Sequence, residues 1–140
     1  MSFFRENEIK SVRKARACGG CGKLIEAGSP AVDLASHYDG DFWSATYHRE
    51  CRKAEIDLNH EHQAEEWMPL QDFDPEDDWE VILEDHPVVA ARLGITQERI
   101  DEIRETARRM REHWRLDAER REAERKAAIA ALPSIHRAAP

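Results

Sequence analysis

Three cysteines and one histidine fall into a pattern with a specific chemistry. Cys18 and Cys21 lie in "CGGCG" and His48 and Cys51 in "HREC", so the order reads C-x2-C, 26 residues, H-x2-C. Thiolate and imidazole are the donors that Zn²⁺ prefers in tetrahedral sites, and ligands two residues apart can be presented to one ion by a tight turn or a helical turn. Four protein ligands leave no coordination position for water, so the spacing predicts one structural Zn²⁺ rather than a catalytic one. Gly19, Gly20 and Gly22 are expected to supply positive φ around the thiolates. Thiol exchange, the other common use of CxxC, needs a helix to open behind the first cysteine within a βαβ pattern. Gly-Gly opens no such helix.

The elements around the ligands must bring them together. "AVDLASHY" and "FWSATYH" are rich in β-formers and flank "DGD", the Asp-Gly signal of a tight hairpin that returns the chain to the first two cysteines. His48 then falls where strand gives way to helix, and Cys51, three residues on, faces the same side of the first helical turn. The ligand order is similar to that of PARP-type and LIM-like zinc fingers, and residues 12–59 look like small zinc proteins of bacteriophage genomes. The resemblance implies a treble-clef fold of knuckle, hairpin and helix over residues 10–66.

Charge is unevenly spread along the 140 residues. The net charge is −8, yet residues 1–17 and 92–140 are each net +3, while residues 54–91 carry thirteen Asp and Glu and no Lys or Arg. Within that acidic block Asp72, Asp74, Glu76, Asp77, Asp78 and Glu80 surround Phe73 and Trp79. Two large aromatics among six acids combine steering toward a basic partner with apolar anchors, which predicts a protein-contacting surface. The N-terminal stretch has neither the apolar run nor the cleavage site of a secretory signal, so a cytoplasmic location with reduced thiols is expected.

Beyond residue 66 the pattern is helical. Asp74 as N-cap, Pro75 at the first helical position and an apolar face of Trp79, Ile82 and Leu83 predict a helix within an acidic segment spanning 67–86. Residues 87–132 read as a short helix from Pro87, a break at Gly94 and a long helix capped by Thr96, with Ile95 and Ile100 as a hydrophobic staple. Ala90, Leu93, Gly94, Ile95, Ile100 and Ile103 resemble the buried framework of a helix-turn-helix. Three acids at Glu98, Asp101 and Glu102 would, however, repel phosphate where such a motif reads DNA. Ile100, Ile103, Ala107, Met110 and Trp114 form a narrow seam that suits either packing within the chain or a homodimer.

Taken together, the sequence points to an α+β, non-enzymatic, zinc-binding interaction protein of phage or mobile-element type that binds a host or phage protein. One alternative is a DNA-binding regulator using Arg13, Lys14, Arg16 and Arg99. The other is a nuclease, because "NHEH", with His60 and His62, resembles the helix of HNH enzymes. Against it, His48 is committed to zinc and no Asp-His pair precedes it, so no hydrolysis is expected. His37, His86, His113 and His136 stand alone and read as surface or packing residues.

Overall fold

In the computed structural model, residues 3–133 are described, and they form an α+β arrangement. Five strands come first: β1 (Phe3–Ile9), β2 (Arg16–Ala17), β3 (Leu24–Ile25), β4 (Ala31–Tyr38) and β5 (Asp41–His48). They are followed by α1 (Arg49–His62), a 3-10 turn (Leu70–Asp72), α2 (Trp79–Asp85), α3 (Pro87–Leu93) and α4 (Gln97–Ala130). The strands make an antiparallel sheet of order β1-β4-β5 and a two-stranded ribbon of β2 and β3.

The expected hairpin is present. β4 and β5 pair from Ala31↔His48 to Tyr38↔Asp41. Asp39 and Gly40 both take positive φ, 49° and 85°, the conformation of a type I′ turn whose twist matches the strands. The basic N-terminal segment holds a strand that the composition did not suggest. β1 runs antiparallel to β4 from Phe3↔His37 to Ile9↔Ala31, so the sheet begins seven residues ahead of the expected domain start at residue 10. "FFRENEI" lacks the strict apolar alternation that marks a half-buried strand, and six of its seven residues are exposed. Its place comes from backbone pairing with β4.

A single core then runs from the sheet into the helices. Val32, Leu34, Tyr47, Leu58, Leu70, Phe73, Ile82, Val89, Ile95 and Ile100 are all buried in one contiguous cluster. Packing therefore separates a unit ending at Ile100 from one beginning at Asp101, whereas the sequence divides at 66/67 and 86/87. The acidic segment cannot be a separate piece because Leu70 and Phe73 anchor it inside the first unit.

α2 starts at Trp79 rather than Pro75. The Asp78 carboxylate, itself buried, accepts the Asp74 N–H at 3.0 Å and lies 2.6 Å from His62 Nε2, which fixes residues 74–78 as a turn ahead of the helix. The expected break and staple do form. Gly94 ends α3 at φ 70°, the Ile95 N–H bonds the Ala90 carbonyl, Thr96 Oγ1 accepts the Arg99 N–H, and Ile95 and Ile100 are buried. Among the described residues no helix is long and apolar enough to cross a membrane.

Candidate metal centre

The ribbon β2–β3 brackets the first two cysteines. The Cys18 N–H donates to the Lys23 carbonyl and the Gly22 N–H to the Cys18 carbonyl, closing a knuckle that the Gly19 N–H ties to Thr46 of β5. Of its three glycines Gly22 alone takes positive φ, 76°. The expectation that all three do so is corrected by the packing, because Gly19 and Gly20 are needed for space. A Cβ on Gly20 would stand 3.0 Å from the Tyr47 ring and 3.1 Å from Cys51 Cβ, and one on Gly19 would stand 3.1 Å from Ala45 Cβ. The knuckle is pressed directly onto the ligand-bearing strand and helix.

His48 is the last residue of β5 and Cys51 lies in the first turn of α1, so the strand-to-helix transition delivers both toward the knuckle. All four ligand atoms lie within 4.8 Å of one another, and all four residues are buried. Cys21 Sγ is 3.4 Å and Cys51 Sγ 3.8 Å from His48 Nδ1. These separations bracket the edge of about 3.5 Å that a tetrahedron with ordinary zinc–sulfur and zinc–nitrogen bonds would have. The four residues are thus arranged to bind one metal ion, consistent with zinc.

The surroundings tune the donors for that use. His48 Nε2 lies 3.2 Å from the Leu24 carbonyl oxygen, an acceptor only. The ring proton therefore sits on Nε2 and leaves the Nδ1 lone pair facing the thiols. Cys18 Sγ accepts N–H bonds from Gly20 and His48, each at 3.3 Å, and Cys21 Sγ accepts one from Lys23 at 3.4 Å. Arg92 Nη1 lies 3.7 Å from Cys51 Sγ and 3.2 Å from a Glu50 oxygen. A three-thiolate, one-imidazole zinc site carries one net negative charge, and these donors offset it.

The thiols are not equivalent. A hydrogen bond from the Cys51 thiol, reinforced by backbone N–H groups, pulls Cys18 down to about 4 despite burial. Burial pushes Cys21 up, and Cys51 is raised by its bond to Cys18 and then by burial. Against the cost of burial, the bonds to Cys51 and Glu50 hold the Arg92 guanidinium above its ordinary value.

No family model matches the chain, and no curated protein or solved structure does. The PARP-type, LIM-like and phage-protein resemblances find no support in these comparisons, and the metal-binding cluster is what stands.

The other sequence candidates land in different places. Phe73 is 2% exposed and Asp78 6%, so neither can reach a partner as an anchor; their apolar and hydrogen-bonded surroundings claim them for the core. Asp72, Asp74, Asp77 and Glu80 are exposed, while Glu76 and Trp79 are partly covered. Arg13, Lys14 and Arg16 are exposed. The Arg99 guanidinium lies 5.0 Å from the Trp79 ring centroid and bonds the Gly94 carbonyl at 2.6 Å, which makes it part of the α3–α4 turn. His62 is paired with Asp78, and His60 is exposed. In the seam, Ile100 is buried, Ile103 and Ala107 are partly covered, and Met110 and Trp114 are exposed. His86 lies 3.5 Å from an Asp57 oxygen, and His136 falls outside the described residues.

Sequence reasoning missed the group that fastens the acidic segment to α1. Glu55, 1% exposed, accepts the Trp67 indole N–H at 2.7 Å and the Leu70 N–H at 3.1 Å, with Arg52 and the Tyr47 hydroxyl at 3.3 and 3.4 Å. Asn59 adds a two-way clasp, donating to the Met68 carbonyl and accepting the Met68 N–H. The available signal was the 3.6-residue period, which places positions 51, 55, 58 and 59 on one face of α1 and so buries a Glu and an Asn with a Cys and a Leu.

Proposed function

We propose that this chain is a non-enzymatic binding module organised by one structural zinc ion held by Cys18, Cys21, His48 and Cys51 in a treble-clef arrangement. The observation that carries the reading is a buried set of four converging protein ligands, enough to fill a tetrahedral site. The knuckle supplies two thiolates and the strand–helix junction supplies a third with an imidazole; backbone N–H groups bond the Cys18 and Cys21 sulfurs, and Arg92 approaches that of Cys51. A closed set holds an ion without offering it to substrate, which supports a binding role over hydrolysis.

Every cysteine of the chain is a ligand in this reading, and there are three. Elemental analysis of freshly purified protein is expected to give one zinc per chain. A thiol reagent should label no cysteine in the zinc-loaded protein and all three after chelation. Structural zinc contributes about 10–16 kcal/mol of apparent binding energy, so Cys51→Ala is expected to abolish the cooperative unfolding transition of the first unit. Zinc-free protein with full stability, or zinc-dependent nucleic-acid cleavage that is lost in His60→Ala or His62→Ala, would overturn the reading.

A further inference from the structure

The two faces of the β1-β4-β5 sheet are used differently. α1 covers the face that carries Glu6 and Tyr47, through Arg52 against Glu6 and Glu55 against the Tyr47 hydroxyl. Side chains alternate along a strand, so Phe3, Arg5, His37, Ala35, Phe42, Ser44 and Thr46 belong to the opposite face. The registers Phe3↔His37 and His37↔Phe42 line three rings in one row across all three strands. Phe3 and Phe42 are 49% and 65% exposed, and the Phe3 and His37 rings are parallel within 4° at a centroid distance of 6.0 Å. Phe3 and Phe42 thus present their rings to solvent on either side of His37, which is partly covered.

Directly behind the row the sheet forms a groove of about 350 Å³, bordered by Arg5, Arg16 and Phe42. Small and hydroxyl side chains at Ala35 and Ser44 keep it open. Its one carboxylate, Asp33, accepts the Thr46 hydroxyl at 2.7 Å, and Arg16 Nη1 donates to that same hydroxyl at 3.4 Å. In a protein of net charge −8, this face therefore combines two exposed arginines with the aromatic row, and Arg16 belongs to the segment 1–17 of net charge +3.

Aromatic rings in a row beside a cationic groove match one class of polyanion. Bases stack on exposed rings when they are unpaired, and phosphates then run along the adjacent arginines. A duplex keeps its bases stacked inside and would use the arginines without the rings. We propose that this open sheet face binds single-stranded nucleic acid, with bases on Phe3, His37 and Phe42 and the backbone along Arg5 and Arg16. The proposal rests on the reading of the chain as a zinc-organised binding module and names the partner class of that module.

The test is fluorescence anisotropy with the zinc-loaded full chain. The probes are labelled oligo(U), oligo(dT) and a mixed-sequence duplex, each about twelve nucleotides long, in the range that single-strand binders occupy. Zinc content is measured on the same samples. Single strands are expected to bind in the micromolar range, at least about tenfold tighter than duplex, and to weaken between about 50 and 200 mM salt. Phe42→Ala and Phe3→Ala should each weaken single-strand binding by about five- to a hundredfold, while Phe42→Tyr, which keeps a ring, stays near the parent. Arg5→Ala should weaken binding and flatten its salt dependence.

Preference for oligo(U) or oligo(dT) would assign the strand as RNA or DNA. With one zinc per chain present, the absence of saturable single-strand binding up to about 100 μM, the weak limit of non-specific association, overturns this inference and leaves the module reading standing. Duplex binding of equal strength that is indifferent to Phe3→Ala and Phe42→Ala also overturns it. Protein that folds without zinc instead overturns the module reading.

Discussion

At the scale of single residues, Glu55 and Arg92 do more than their types suggest. Glu55 brings a carboxylate into the core, and four donors from α1, β5 and the following loop converge on it. Replacing it with alanine strands the Trp67 and Leu70 N–H groups and deprives Arg52 of one of its two carboxylates. Removing one partner from a buried charged network costs about 3–5 kcal/mol. Urea unfolding of zinc-loaded Glu55→Ala should show a loss of that order, with Glu55→Gln intermediate because it keeps the volume and one acceptor.

Arg92 offers a different readout. Its guanidinium approaches Cys51 Sγ from α3, outside the ligand set, and offsets charge at the centre. Partners of this kind typically change metal affinity by about ten- to a hundredfold. Arg92→Ala is expected to lose zinc to a competing chelator at correspondingly lower chelator concentration. Arg92→Lys should recover part of the loss.

At the scale of elements, α4 shows a change of character within one helix. Its first turn carries the staple residue Ile100, and beyond Asp117 every side chain is exposed. Ion pairs run along the helix from Glu105 onward. Glu105 pairs with Arg108 and Arg109, Glu112 with Arg115, Asp117 with Arg120 and Arg121, and Glu122 with Arg125. In each of these pairs the acid lies three or four residues N-terminal to the arginine, the favourable orientation on a helix, while Arg115 and Arg120 also reach forward to Glu119 and Glu124.

Hydrogen bonds from Arg108 and then Arg109 lower Glu105 from 4.5 to about 2, and Glu112, Asp117 and Glu122 are lowered in the same way by their arginines. A carboxylate with a depressed folded-state value stabilises the helix above its unfolded value and loses that contribution as pH falls through the folded one. Helical circular dichroism of the full chain is therefore expected to decline between about pH 4.5 and 2, and molar salt at neutral pH should weaken the same pairs. Ellipticity that stays flat across that window in both titrations would contradict the assignment.

At the scale of the whole chain, the packing boundary after Ile100 makes a direct prediction. The metal ligands, the sheet and the core cluster all lie before it, and Met110, Trp114 and Leu116 are exposed. A chain ended at Thr106 keeps the staple and the first turns of α4. It is expected to bind one zinc and to unfold within a few degrees of the full protein in a thermal melt. Loss of zinc in that truncation would show that residues after 106 support the first unit.

The ligand set, the hairpin with its Asp-Gly turn, the Gly94 break and the Thr96 cap were all legible in the sequence. Each depends on residues close along the chain or on donor chemistry that few residue types supply. The strand β1, the burial of Phe73 and Asp78, the Glu55 network and the approach of Arg92 to Cys51 were not. "FFRENEI" becomes a strand because β4 offers it an edge, and Phe73 is interior because it joins the core cluster that holds Leu70, with its ring beside that of His62 on α1. Glu55 can be buried because its donors arrive from residues up to fifteen positions away. Local pattern sets what each segment can form, whereas the partners of a buried charge or an edge strand are set by which surfaces meet, and that is decided in three dimensions.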